Sequence, residues 1–241
     1  MPSHYRRYAL AALIYAAGFA YILLRWDAIP DPVPVHVGPT GEADGFSPKT
    51  LFSTTAPMII GIVVSAVIPL FLPPRSLARH TADVPAEDAL PFSETAARRV
   101  EKLCDATADI VSKMILAMAP LFAVMNISMV VPDVNLPFWL DIALWAGFTV
   151  YVVVVALRMT NAKDGIEPDA EEQSRNERLR YQGGMGTYSA PNDPMLAAVL
   201  PSNPGKIAVN TAHAPGKRYV RRVVVGIALT LVVCVALPFV V

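Results

Sequence analysis

Three side chains able to bind metal or move protons share one loop: His36, Glu42 and Asp44, within the stretch WDAIPDPVPVHVGPTGEADGFSPKT at 26–50. An imidazole with carboxylates is an ordinary ligand set for a divalent cation. The same groups could form a general acid–base pair acting at a membrane surface. They could equally hydrogen-bond loop backbone and hold a bend, with no chemistry. Only these three groups are present and no nucleophile stands among them, which favours the third reading. The loop's own residues set the spacing. Pro30, Pro32 and Pro34 each fix their own φ and bias the preceding residue to extended backbone, so a stiff extended arm is predicted rather than a helix. Gly38-Pro39-Thr40-Gly41 and Ala43-Asp44-Gly45 are successive turn signals that bring His36, Glu42 and Asp44 around a compact bend.

Composition tells what kind of scaffold carries this loop. Apolar residues make up 54% of the 241 and charged residues only 17%, against about 25% charged in ordinary soluble domains. The mean hydropathy is +0.44. The chain is therefore predicted to be an all-α integral membrane protein. Basic and acidic residues balance at 20 each, which gives no field for nucleic acid. Two cysteines, Cys104 and Cys234, exclude a disulfide framework and a four-thiolate zinc site.

A bilayer core about 30 Å thick requires roughly 20 apolar residues per helix. Five stretches meet that requirement: 8–24, 56–72, 110–131, 138–157 and 223–241. The second carries Pro57, Gly61 and Pro69, tolerated in spanning helices and also compatible with a re-entrant segment. The first, preceded by Arg6 and Arg7 and followed by Arg25-Trp26-Asp27 with no small-residue cleavage site, reads as a retained anchor. With the N-terminus in the cytoplasm, only Arg25 and Lys49 of the 20 basic residues fall outside, which sets an N-in, C-out orientation. Asp27, Asp31, Glu42, Asp44, Asp133 and Asp141 then make the outer face acidic. Such a face would concentrate cations or cationic peptides within a screening length of about 8 Å, or the asymmetry merely sets topology.

No span has a charge near its centre. Lys113 and Asp141 lie in first turns, and Asn126 and Ser128, deep in the third span, read as interhelical glue worth about 0.6 kcal/mol each. His4, His36, His80 and His213 all lie outside the spans, which excludes an intramembrane bis-histidine haem. A proton pump or redox cytochrome is disfavoured for the same reasons.

Pro34-Val35-His36, then Gly41, Asp44-Gly45 and Lys49, directly after a first membrane helix, resemble a recurrent bacterial membrane module over roughly residues 10 to 60. It resembles the domain of unknown function found in SdpI-type proteins, immunity factors against a sporulation-delaying peptide toxin. The resemblance implies a role in immunity or signalling toward a membrane-active peptide.

Of the inner connections, 73–109 contains a helix predicted from Ser93, a suitable N-cap, with Glu94 in the first turn, running straight into the third span. Val100, Leu103, Cys104, Thr107 and Val111 share one face and read as packing, with Cys104 a buried hydrophobe. In the second connection, 168–181 reads as a short charged helix with a Glu171–Arg175 pair. Gly183, Gly184 and Gly186 lack the lysine and the preceding strand of a phosphate loop. Asn192-Asp193-Pro194 and Asn203-Pro204-Gly205 are turns, and 196–200 with 206–210 read as a small β-hairpin. Tyr188, Asn192-Asp193-Pro194, Val199, Pro201, Gly205, Val209-Asn210 and Ala212-His213 resemble a second short module of unknown function.

The expected organisation is 1–73, two membrane helices with the Pro-rich outer loop; 74–158, a cytoplasmic helix and membrane helices three and four; 159–222, a cytoplasmic module; and 223–241, a fifth helix. Turn chemistry and resemblance together nominate Pro34, His36, Gly41, Glu42, Asp44, Gly45 and Lys49 as ligand-binding. A metal, if bound, falls to His36, Glu42 and Asp44. No catalytic residue and no cofactor are expected, and the expected partners are the bilayer, an extracellular cationic peptide and a cytoplasmic protein. The alternatives are a metal-dependent membrane enzyme and a membrane scaffold for that cytoplasmic partner.

Overall fold

The computed structural model describes residues 3–134, 136–160, 166–179, 186–200 and 206–240. Gly183-Gly184 and the expected turn at 203–205 lie outside the described residues. The chain is mostly helical: α1 (Ser3–Leu24), α2 (Leu51–Val67), α3 (Ser76–Arg79), α4 (Glu94–Val130), α5 (Phe138–Thr160), α6 (Ala170–Arg178) and α7 (Ala214–Val240). Four segments of the described residues are long and apolar enough to cross a membrane: Ser3–Leu24, Leu51–Arg79, Glu94–Val130 and Phe138–Leu157. That is the pattern of a multi-pass membrane protein, because in hydrocarbon only a helix or a closed barrel satisfies every backbone group. The fifth predicted stretch forms the C-terminal part of α7.

Strands are more numerous than expected. β1 (Val33–Val37) and β2 (Ala43–Ser47) form an antiparallel pair in the first loop, where an extended arm and a bend were predicted. β3 (Thr187–Tyr188), β4 (Ala197–Val199) and β5 (Ile207–Asn210) form a second sheet in the order β3-β5-β4. Its antiparallel β4–β5 pair is the predicted hairpin, and the parallel β3 is an addition. All-α is thus corrected to a helical fold carrying two small sheets.

The chain divides into two compact units. The first comprises Met1–Ile68, Val111–Val155 and Leu229–Val241. Its core joins Tyr15 and Ile22 of α1, Met58 of α2, and Ile115, Ala119 and Ala123 of α4, with Ile29 and Val33 from the loop. α2 begins at Leu51, earlier than the predicted 56, because Thr50 and Ser53 form a reciprocal cap: the Ser53 amide donates to Thr50 Oγ1 at 3.1 Å and the Thr50 amide to Ser53 Oγ at 3.0 Å. The hydroxyls of Thr54 and Thr55 donate back to the carbonyls of Thr50 and Leu51 (2.8 and 2.6 Å), so this polar run is buried at no hydrogen-bond loss.

Pro57 sits inside α2 without an amide hydrogen. Beside it, the fully buried Asn126 of α4 donates from Nδ2 to the Thr54 carbonyl at 2.8 Å and accepts the Met58 amide on Oδ1 at 3.2 Å. The residue read as interhelical glue therefore brackets one rung of the neighbouring helix at its weak point.

The second unit comprises Pro69–Ile110 and Ala156–Ala228. α4 starts as predicted, with Ser93 Oγ accepting the Ala96 amide at 2.9 Å. The stripe Val100, Leu103 and Cys104 packs against Leu77, Leu196, Val199 and Val209. Cys104 is buried in this stripe, which suits an inert packing residue. Burial raises the Asp169 carboxyl, but the amides of Glu172 and Thr95 and the hydroxyls of Ser93 and Thr95 outweigh it and hold the group below its usual range.

Arg175 departs from expectation. Rather than pairing with the exposed Glu171, it turns inward and places Nη1 and Nη2 on the two carboxylate oxygens of Asp193 at 2.6 and 2.7 Å, with side-chain exposures of 2% and 0%. The Tyr188 hydroxyl and the Met195 amide each donate to the same carboxylate at 2.8 Å. His213 Nε2 lies 2.8 Å from the Asp193 carbonyl, and the Asn210 side chain bonds both backbone groups of Ala190. Residues that read as turn and strand in the sequence are thus one buried polar core.

Removing a single partner from such a pair leaves a buried, unpaired charge, at a cost of about 3–5 kcal/mol. Asp193→Ala is expected to open this unit, read as a rise of at least tenfold in amide hydrogen exchange across β4 and β5. An exchange rate equal to wild type contradicts the assignment.

Candidate functional site

The first loop is built to hold a hairpin over the first unit's helices. Its β1–β2 pairing sets Val33 opposite Ser47, Pro34 opposite Phe46, His36 opposite Gly45 and Val37 opposite Ala43, with irregularities on either side of His36. Pro34 is tolerated because a two-stranded ribbon has only edges. At the tip, Gly38 N donates to the Glu42 carbonyl at 2.8 Å and Gly41 N to the Gly38 carbonyl at 3.0 Å. Gly41 has φ +86, and a Cβ there would fall 2.7 Å from Cβ of Phe138, at the start of α5. Glycine is needed on both counts. At Gly45 a Cβ would fall 2.8 Å from Cβ of His36, so glycine leaves the room in which the imidazole lies.

Lys49 ties the base of the hairpin. Its ammonium donates to the carbonyls of Trp26 and Ile29, each at 2.7 Å, and lies 5.1 Å from the Trp26 ring centroid. Its amide donates to Asp31 at 3.1 Å. Lys49 is thus a structural tie rather than an open ligand.

His36 and Asp44 meet across the hairpin, with Nδ1 2.5 Å from Oδ1 and both side chains more than half exposed. His36 Nε2 has no partner among the described residues. Glu42 is exposed and contributes its carbonyl to the tip. Among the described residues, no three His, Cys, Asp or Glu side chains are grouped to hold a metal ion. The structure thus brings two of the three expected donors together, and Glu42 does not join them.

Beneath the hairpin lies a cleft of about 620 Å³, within the range of small-ligand sites. The hairpin contributes Val35, His36 and Gly41, α2 contributes Pro57, and α4 contributes Met125, Ser128 and Met129. α5 supplies Phe138, Asp141, Ile142, Trp145 and Thr149. The lining is mainly apolar, and its two methionines are side chains that adapt to irregular surfaces. Ser128 and Thr149 donate to carbonyls of their own helices, Met125 at 3.0 Å and Trp145 at 2.9 Å. The Asp141 carboxylate has no hydrogen-bond or ion-pair partner among the described residues. An unpaired carboxylate on an apolar wall favours a cation opposite it. The cleft can therefore hold an apolar surface that carries a positive charge opposite Asp141.

Sequence reasoning placed Asp141 at the outer interface but not in a site. The available signal was its spacing with Phe138, Ile142, Trp145 and Thr149, which puts all five on one helix face. Two other expected outer acids are engaged, Asp133 by Arg25 and Asp31 by the Lys49 amide.

Residues 13–71 match a domain of unknown function (DUF1648). The match runs from within α1, through the hairpin and α2, to the 3-10 turn Ile68–Phe71, and it contains every nominated ligand-binding residue from Pro34 to Lys49. No curated protein and no solved structure matches the chain.

Asn126 holds α2 against the α4 wall of this cleft. Asn126→Leu removes both bonds to the Pro57 rung and is expected to cost about 1–2 kcal/mol, near the upper end for interhelical hydrogen bonds in membranes. The measurement is the unfolding midpoint of the purified protein in detergent, expected to fall. An unchanged midpoint contradicts this role for Asn126.

Proposed function

We propose that this is a five-span membrane protein with its N-terminus inside, and that it confers tolerance to a cationic membrane-active peptide. In this reading the hairpin faces the outside and the cleft beneath it receives one face of the peptide. The cleft carries the proposal, since it combines an adaptable apolar lining with one unpaired carboxylate, Asp141. A cationic amphipathic segment has the complementary surface: apolar side chains for the Met125, Met129 and Trp145 wall and a lysine or arginine for Asp141. The excess of acids over bases on the outer loops favours encounter with such a peptide. The resemblance of the pattern from Pro34 to Lys49 to SdpI-type immunity proteins supports the same reading. The His36–Asp44 pair then acts at the rim, shaping the hairpin and offering Nε2 to the bound peptide.

The test is survival of a sensitive bacterial host challenged with a cationic membrane-active peptide. Expression of the wild-type chain is expected to raise tolerance. Asp141→Asn should remove most of that gain, and His36→Ala or Asp44→Ala should reduce it, each at unchanged membrane expression. Equal killing with and without the protein, once its presence in the membrane is verified, overturns the proposal.

A further inference from the structure

α7 opens with a run of basic residues that the peptide reading does not use. Lys217, Arg218, Arg221 and Arg222 fall within two helical turns, and no acidic residue occurs in the chain after Asp193. At 100° per residue the four positions share one side of the helix, with Lys217–Arg221 and Arg218–Arg222 each four apart. Like charges at that spacing repel one another. Lys217, Arg218 and Arg221 are exposed and have no ion-pair partner among the described residues.

Arg222 is held in place. Its Nη2 donates to the Leu72 carbonyl at 2.7 Å, its guanidinium lies 5.3 Å from the Tyr219 ring, and the Tyr219 hydroxyl donates to the Phe71 carbonyl at 2.7 Å. Its Nε is buried and has no hydrogen-bond partner among the described residues. Nε is closed to a ligand, so Nη1, which has no hydrogen bond among the described residues, is the donor left for an anion's oxygens on this fixed guanidinium.

The next turns of the same helix identify the source of that anion. Val224, Val225, Ile227, Leu229, Leu231 and Val232 are exposed apolar side chains there. A basic turn that passes directly into exposed apolar helix has the order of charges and hydrocarbon found at a membrane surface.

We infer that Lys217, Arg218, Arg221 and Arg222 form a binding site for the phosphate of an anionic phospholipid headgroup. The inference rests on the reading that the apolar part of α7 inserts into the bilayer. It is independent of the peptide. Bound lipid neutralises the repulsion within the stripe and sets the depth at which α7 leaves the membrane.

The full chain is reconstituted in an equal mixture of phosphatidylcholine and phosphatidylglycerol, extracted in mild detergent, and its retained lipid counted by native mass spectrometry. Wild type is expected to retain phosphatidylglycerol over phosphatidylcholine by at least about tenfold, and the preference should shrink sharply at about 1 M salt, where the screening length is about 3 Å. A variant carrying Lys217→Gln, Arg218→Gln and Arg221→Gln, all exposed positions, should lose the preference. Equal retention of both lipids by wild type, or a preference that survives in the variant, overturns the site. Displacement of the lipid by excess inorganic phosphate reassigns it to a soluble anion and overturns the lipid assignment. Labelling of Val232→Cys, in a background with Cys104→Ser and Cys234→Ser, with an impermeant maleimide in bilayers reports insertion of α7 separately: protection supports insertion, and labelling overturns that premise alone.

Discussion

An amide side chain cannot lie in an apolar helix bundle without partners, and Asn126 finds both of its partners on one neighbour. It bridges the Thr54 carbonyl and the Met58 amide on either side of Pro57, where α2 lacks an amide of its own. The proline weakens the ladder and the asparagine repairs it from outside, so each residue accounts for the other. The joint also sets the register of α2 on α4. Met125, Ser128 and Met129, beside Asn126, then face the same space as Pro57, and that space is the cleft.

The hairpin closes over the cleft through a second set of fixed contacts. Lys49 anchors its base on the carbonyls of Trp26 and Ile29, and Gly41 lets its tip settle against Phe138. Three of the six acids expected on the outer face hold this arrangement: Asp31, Asp44 and Asp133 are each bonded to another residue of the unit. The carboxylate of Asp141 is left over, facing the cleft. Asp27 and Glu42 are exposed and lie outside the lining, so among these six acids Asp141 is the one that faces the cleft.

Local patterns in the sequence carried the helices well. Long apolar runs gave α1, α4 and α5, Ser93 marked the start of α4, and the β4–β5 hairpin followed from its flanking turns. What local patterns could not carry was pairing at a distance. Arg175 had an attractive neighbour in Glu171, yet its partner is Asp193, because the fold buries both and a buried charge needs a bidentate mate. The first hairpin was obscured by Pro34, normally a residue that breaks strands, and by turn residues that could equally make an open bend. The start of α2 was hidden because the apolar run begins only at 56, while the polar Ser53, Thr54 and Thr55 before it are hydrogen-bonded to backbone carbonyls of Pro48, Thr50 and Leu51. In the candidate site, His36 and Asp44 were legible because they lie close in sequence. Asp141 was not, since it reaches the hairpin only through the packing of α5.

Whether a cationic peptide binds in the cleft is decided most directly by photo-crosslinking. A photoreactive residue is placed at Met129 in the cleft wall and, as the comparison, at Val150, 62% exposed on α5 and not part of the lining. Peptide captured from position 129 and not from position 150 is the predicted result. Capture at both positions alike, or at position 150 alone, contradicts it.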